Sequence, residues 1–214
     1  MGKVKFDVSV SLDGYSAGPN PRFEEPLGDG GERLHEWMLE TAGFKEAHGG
    51  GEGGATGPDD DIVREAFENT GAYLMGRQMF GGGEGDWDES WKGWWGDDPP
   101  FHAPVFVLTH HPREPLPMDG GTTFHFVTEG MQSALEQARA AAGDKDVQIA
   151  GGANVVQQYL KAGAVDEFQV HVAPVCLGGG VALFESLGND EVKLEVVRVV
   201  ESPLVTHLKY RVVK

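Results

Sequence analysis

The chain has 214 residues, with 40% hydrophobic and 24% charged, enough to bury a core without disulfide or metal staples. Its 34 acids against 17 Lys and Arg give a net charge of −17, which excludes nucleic-acid backbones and anionic membranes as partners. An anionic ligand must therefore be held locally, by backbone N–H groups and a few basic side chains.

In chain order, residues 4–10 alternate. Val4, Phe6, Val8 and Val10 lie on one side and Lys5, Asp7 and Ser9 on the other, which predicts a strand. The N-terminus lacks the apolar region of a signal peptide. "SLDGYSAGPN" (11–20) is turn chemistry, with Asp13–Gly14 at its centre. Residues 31–40 predict a helix with Leu34, Trp37 and Met38 on one face. Seven glycines in 43–57 predict a flexible insertion. Residues 59–71 read as a helix with acids at its start, Ile62, Ala66 and Phe67 inward, and Gly71 beyond its end.

"AYLMG" (72–76) is a buried strand ending at Gly76–Arg77. Residues 80–102 hold four of the five tryptophans among glycines and acids and fit no period, so a long loop is expected. Strands follow at 104–109 and 122–127. A helix spans 129–143, with Met131, Ala134, Leu135 and Ala138 inward. A strand at 147–150 and a helix at 152–162 come next, the helix keeping Gln157, Gln158 and Lys161 outside. A strand at 166–174 and a hairpin of 192–200 with 204–213 complete the chain.

Strands alternating with helices predict an α/β fold with three layers, α/β/α, a mostly parallel central sheet and a C-terminal antiparallel hairpin. One domain over 1–214 is expected, with loop insertions at 43–57 and 80–102. The apolar runs are too short to span a bilayer, and the lone Cys176 fits a cytoplasmic chain.

Four strand ends carry residues suited to a ligand. Gly151–Gly152 lie between a strand and a helix, where amides of Ala153 and Asn154 could meet an anion. A plain turn is the competing reading there. Arg77 follows Gly76 at a second strand end. Thr109, His110, His111 and Arg113 form a basic and hydroxyl knot at a third, suited to a 2′-phosphate. Asp13 follows the first strand on a loop able to close over a ligand. No HExxH or cysteine pair supports a metal site, and His171 and His207 read as sheet-face residues.

Taken in order, "SVSLDGYSAGPN", "LMGRQMF", "VFVLTHH", "IAGGANVVQQYL" and "AGAVDEFQVHVAPVCLGGGVALF" resemble the dihydrofolate reductase superfamily. The similarity is closer to its RibD C-terminal branch, the reductase domain of the bacterial bifunctional deaminase-reductases of riboflavin biosynthesis and their stand-alone relatives. It runs from about residue 3 to 213. The resemblance implies an NADPH-dependent reductase of a small heterocyclic or carbonyl substrate that forms homodimers. Dihydrofolate reductase-type activity and a non-catalytic nucleotide-binding protein are the alternatives. It implies that Gly76, Arg77 and Gly151, Gly152, Ala153 and Asn154 hold the cofactor's phosphates. Thr109, His110 and His111 would contact its adenosine end, and Leu12, Asp13 and Gly14 would lie over the nicotinamide and substrate. Asp13 is the candidate catalytic residue, and Asp13, Trp37 and Trp94 are candidate substrate contacts, the tryptophans as stacking surfaces. Ile149 stands where the riboflavin reductases carry a glutamate, which puts their substrate in question here.

Overall fold

The computed structural model describes residues 2–51, 53–83, 85–188 and 192–214. The strands are β1 (Val4–Ser11), β2 (Tyr15–Ala17), β3 (Thr70–Gly76), β4 (Pro104–Leu108), β5 (Leu116–Pro117), β6 (Thr123–Val127), β7 (Asp146–Gly151), β8 (Glu167–Ala173), β9 (Val181–Ala182), β10 (Leu194–Glu201) and β11 (Thr206–Val212). The α-helices are α1 (Glu36–Leu39), α2 (Ala42–Ala47), α3 (Pro58–Phe67), α4 (Arg77–Phe80), α5 (Met131–Ala142) and α6 (Ala153–Lys161). Among the described residues no helix is long and apolar enough to cross a membrane.

Nine strands form one sheet in the order β10-β11-β8-β1-β7-β3-β4-β6-β5. The six from β8 to β6 run parallel, and β11, β10 and β5 add antiparallel pairs. The expected mostly parallel sheet and closing hairpin are both present.

One face of the sheet is uniformly apolar. Val4, Phe6 and Val10 of β1 join Ala72, Leu74, Phe106, Val147, Ile149, Phe168 and Val170, and α5 and α6 pack on them. The helices supply Ala134, Leu135 and Ala138 from α5 and Val155, Val156, Tyr159 and Leu160 from α6, spaced at i, i+3 and i+4 as an inward stripe requires. Phe6 and Phe168, paired in register, stack at 4.5 Å.

The opposite face divides in two. Under β3, β4 and β6 it presents Tyr73, Met75, Val105, Val107 and Phe124. Helix α4 and the tryptophan stretch cover it: Phe80 is fully buried there, and Trp87, Trp91, Trp95 and Phe101 pack alongside. The expected irregular loop is thus the missing second layer, in which large rings replace a helix.

Under β1, β8 and β11 the same face is polar, yet buried. Asp7 accepts hydrogen bonds from Gln148 and Gln169 at 3.0 and 2.9 Å, and burial pushes its carboxyl pKa up. His171 and His207 share an Nδ1···Nδ1 hydrogen bond of 2.8 Å, and His207 Nε2 lies 3.0 Å from Asp59 at the start of α3. Both histidines are indeed sheet-face residues, but the face is covered. Their mutual bond needs one neutral ring as acceptor.

Burial, aided by the charge of His207, lowers the His171 pKa to about 3. The unfolded chain then takes up a proton below about pH 6.5 that the folded chain refuses until about pH 3. Stability from this group is therefore full above pH 6.5 and falls as the pH drops toward 3. His35, lowered by burial, acts in the same direction. Thermal melts from pH 7 to 5 are expected to show a falling midpoint, with a shallower fall in a His171→Gln variant. An equal fall in both would refute the assignment.

Several local expectations need correction. Residues 43–57 are not merely a flexible insertion, because α2 occupies their first turns and Thr41 bridges to Ala55. Helix α3 ends at Phe67, and Gly71 belongs to β3, since Glu68 is extended and Asn69 takes a φ of 56°. Phe67 is exposed, whereas Asp60 points inward and accepts from the Gly43 amide and Arg64. Gln157 is buried rather than outside, donating to the carbonyls of Ala182 and Leu183 at 3.1 and 3.0 Å.

Candidate functional site

Four neighbouring parallel strands, β1, β7, β3 and β4, end on one edge of the sheet. Immediately beyond them lie Leu12–Gly14, Gly151–Asn154, Gly76–Arg77 and Thr109–His111, in that spatial order. Adjacent strands stand 4.7–4.9 Å apart, so the row extends about 14 Å and suits an elongated ligand.

The row contains a slot. The β1–β7 ladder stops at Phe6↔Ile149, although β1 stays paired with β8 as far as Ser11↔Ala173. Meanwhile β7 follows β3, with Gly151 opposite Met75. The two central strands diverge, leaving an opening between the end of β1 and Gly151–Gly152. In open α/β sheets ligands bind at the carboxyl ends of the strands, where this divergence lies.

On the β7 side, Gly151 has a φ of 135° that favours glycine, and a Cβ there would lie 3.1 Å from Met79 Sδ. The bond joining Gly151 to Gly152 is cis. A Cβ built on Gly152 meets nothing within 4 Å, so that glycine borders open space. It caps the nine-residue α6 without a side-chain hydrogen bond. The following amides of Ala153 and Asn154 belong to the first turn, whose N–H groups lack intrahelical partners. The Asn154 carbonyl oxygen accepts from Gln158 one turn on, so its side chain is engaged within the helix.

At the β3 end, Gly76 is glycine for packing, since a Cβ would come within 2.9 Å of Val155 on α6. Arg77 has its Nε and Nη2 buried without a hydrogen-bond partner among the described residues. Burial lowers its pKa, opposed by the charge of Asp86. Orphaned guanidinium donors at a strand end, together with the open glycine beside them, fit the phosphates of a nucleotide cofactor. At the β4 end, Thr109 is buried and its Oγ1 accepts from the His111 amide at 3.1 Å. His110 is exposed, and His111 Nδ1 lies 3.6 Å from Asp86.

Asp13 has a different task from the one expected. Its carboxylate accepts from the amides of Leu177 and Gly178 at 3.1 and 2.7 Å. Hydrogen bonds from the Ser11 hydroxyl and those two amides pull its pKa down to about 2. At neutral pH it is an anion committed to the backbone, which suits a loop clasp and not a proton donor. The clasp continues through Leu12 N–H to the Val175 carbonyl, Leu183 N–H to the Gly14 carbonyl, and the β2–β9 pairing.

The "LGGG" of the sequence completes that clasp. Gly180 has a φ of 126°, and a Cβ there would stand 2.1 Å from the Ala17 carbonyl. A Gly180→Ala variant is expected to lose about 1–3 kcal/mol of stability through steric overlap. An unchanged denaturation midpoint would contradict this reading of the loop.

The candidate substrate tryptophans do not line the slot as open surfaces. Trp37 is 5% exposed, donates to Ser9 Oγ at 3.1 Å, and lies 4.9 Å from both the His171 and His207 rings. It wedges α1 onto the polar half of the sheet. Trp94 packs against Trp91 and Phe23 at 4.6 and 5.2 Å, and a Cβ on Gly81 would strike its ring. Ile149 is fully buried in the core below α5 and α6, in register with Phe6 and Leu74, so its side chain does not report on the substrate.

Sequence reasoning missed the loop 174–180 as the partner of Asp13, and Trp87 as a neighbour of Arg77. Only the glycine run signalled the first. The second rests on contacts across the chain that no spacing reveals.

Comparison with known proteins places this geometry. The family model described as RibD C-terminal domain matches residues 2–208. YwjB of Bacillus subtilis, an uncharacterised protein, is 39% identical over 65 residues, which are 30% of this chain and 37% of that protein. A crystal structure from Shewanella sp. PV-4, assigned to riboflavin biosynthesis, covers 99% of both chains with a TM-score of 0.63 and 21% identity. The diaminohydroxyphosphoribosylaminopyrimidine deaminase/5-amino-6-(5-phosphoribosylamino)uracil reductase of Thermotoga maritima covers 99% of this chain and 57% of its own, at TM-score 0.56 and 15% identity. At these identities the structural likenesses speak for the fold.

Proposed function

The chain belongs to the RibD C-terminal domain family, and on that footing we propose that it is an NADPH-dependent reductase of a small heterocyclic or carbonyl substrate. The observation that carries the reading is the row of four strand ends, with the open glycine of α6 beside the orphaned donors of Arg77.

Gly152, Ala153 and Asn154 would hold the pyrophosphate, Arg77 a phosphate, and Thr109–His111 the adenosine end. Leu12 and Gly14 would border the nicotinamide at the slot, over a loop that Asp13 holds in place. The bound cofactor supplies the hydride, and the protein's part is to bring its ring and the acceptor together and to limit water.

Mixing the protein and NADPH with a panel of dihydrofolate, the riboflavin-pathway aminouracil and simple carbonyls should give loss of NADPH absorbance with at least one. NADPH binding without turnover of any would favour the second reading, a nucleotide-binding protein without catalysis. The commitment of Asp13 to backbone amides is the observation in that reading's favour.

The partner proposed is a second copy of the chain. Among the described residues strand β10 is a sheet edge without an outer partner, and it bears Val196 and Val199, 65% and 58% exposed, which suits antiparallel pairing with itself. Sedimentation should give a dimer. A clean monomer at micromolar concentration would overturn it.

A further inference from the structure

The tryptophan stretch contributes one side chain to the site itself. The Trp87 ring lies against the Arg77 guanidinium, with Cζ 3.9 Å from the ring centroid. Its indole N–H donates to the His111 carbonyl at 2.9 Å. Arg77 follows β3 and His111 follows β4, whose ends pair directly as Gly76↔Leu108. Trp87 therefore bridges two adjacent junctions of the row. A flat ring stacked on a guanidinium, with an edge N–H given to a backbone carbonyl, is how a nucleobase would be held in the same place.

The guanidinium under this ring also carries the orphaned donors. Arg77 Nε and Nη2 are withdrawn from water without a partner among the described residues. Asp86 acts on Arg77 through its charge, yet it is fully exposed and turned toward His111. A buried, unpaired guanidinium N–H is costly. An anion that reached it would recover that cost, but the indole lies on its face.

Trp87 is held from outside the row. Arg113, its side chain 3% exposed, donates to the carbonyls of Glu89 and Trp91 at 3.1 and 2.8 Å, which fixes the chain just after Trp87. Phe126 and Phe80 meet the indole at 5.0 and 5.8 Å. On the other side, Gly81, Gly82 and Gly83 all have φ between 76° and 87°, a conformation that glycine adopts without strain.

We propose that Trp87 is an intramolecular occupant of the adenosine-phosphate end of the cofactor site, which the nucleotide displaces as its phosphate takes the donors of Arg77. The proposal rests on the nucleotide reading above. It makes Trp87 a determinant of affinity at that end, and it leaves the nicotinamide end at the slot untouched.

The test compares wild type, Trp87→Phe and Trp87→Ala in calorimetric titrations with NADPH, with adenosine 2′,5′-bisphosphate, and with nicotinamide mononucleotide. Removing a stacking contact and a hydrogen bond that compete with the ligand should tighten NADPH and the bisphosphate by roughly tenfold in Trp87→Ala. Trp87→Phe keeps the packing and loses the N–H, and it should tighten both by a smaller factor. This variant carries the test if the alanine protein melts early. Affinity for nicotinamide mononucleotide should be the same in all three. In wild type, tryptophan emission should become more accessible to acrylamide when the bisphosphate binds, and the change should vanish in Trp87→Phe. Equal or weaker NADPH binding by both variants would overturn the proposal alone. No binding of NADPH by any of the three proteins would overturn the nucleotide reading and the proposal with it.

Discussion

Replacing Arg77 with alanine is expected to weaken NADPH binding by roughly 10–100-fold, because a hydrogen bond to a charged group contributes about 1.5–3 kcal/mol. Two donor atoms of Arg77, Nε and Nη2, are buried without a partner among the described residues. Arg64 binds Glu46 and Asp60, and Arg198 binds Glu65 and Gln169, whereas Arg77 has two such unpartnered nitrogens where Arg113 and Arg139 have one each. Arg77 has a ring for a neighbour instead. Removing it breaks no internal hydrogen bond among the described residues and loses only the stacking contact with Trp87, so the melting temperature should fall by a few degrees at most while affinity falls strongly. Arg77→Lys should recover only part of the loss, because an ammonium cannot present the guanidinium fork. Titration of the three proteins decides it, and equal affinities would remove Arg77 from the site.

Phe80→Ala should have the largest effect on stability, about 3–5 kcal/mol for a fully buried phenylalanine. Phe80 has no exposure and meets Phe124 and Phe126 at 5.0 and 5.2 Å and Trp87 at 5.8 Å. Its carbonyl also accepts the Trp91 indole N–H at 3.0 Å. It touches both the sheet face, through Phe124 and Phe126, and the tryptophan layer over it, through Trp87. For a chain of this size each kcal/mol moves the midpoint by about 2–4 °C, so a drop of about 6–20 °C is expected. The near-ultraviolet circular dichroism of the tryptophans should weaken in the same variant while the far-ultraviolet signal holds. A drop under about 2 °C would mean that the tryptophan layer is not anchored through Phe80.

The elements legible in the sequence are those whose pattern has one cause. Strand β1 alternates because one face meets α5 and α6, and α6 shows its stripe because its inner face meets the same sheet. The strand ends were legible for a similar reason: Gly76 and Gly151 to Gly152 are glycines where a close approach, a positive φ or an open border requires them.

The unread parts are those where one pattern has two causes. Asp7 and Ser9 look like a solvent face, yet Asp7 is held by Gln148, Gln169 and His171 and Ser9 accepts from Trp37 of α1. Polarity reports hydration or internal pairing equally, and periodicity cannot separate them. Gln157 misled in the same way, by turning inward to the β9 backbone. The tryptophan stretch has no period because its rings contact residues scattered over β3, β4 and β6. Asp13 was found at the right strand end, but its carboxylate is directed by a loop 164 residues later in the chain.

The central claim is that the carboxyl edge of β1, β7, β3 and β4 is a site for NADPH. The direct measurement is a tryptophan-fluorescence titration of the unmodified protein with NADPH and with NADH. The structure places Trp87 on Arg77, so saturable quenching by NADPH is expected, with weaker binding of NADH, which lacks the 2′-phosphate. Absence of saturable binding by either nucleotide, checked by calorimetry, would contradict the account.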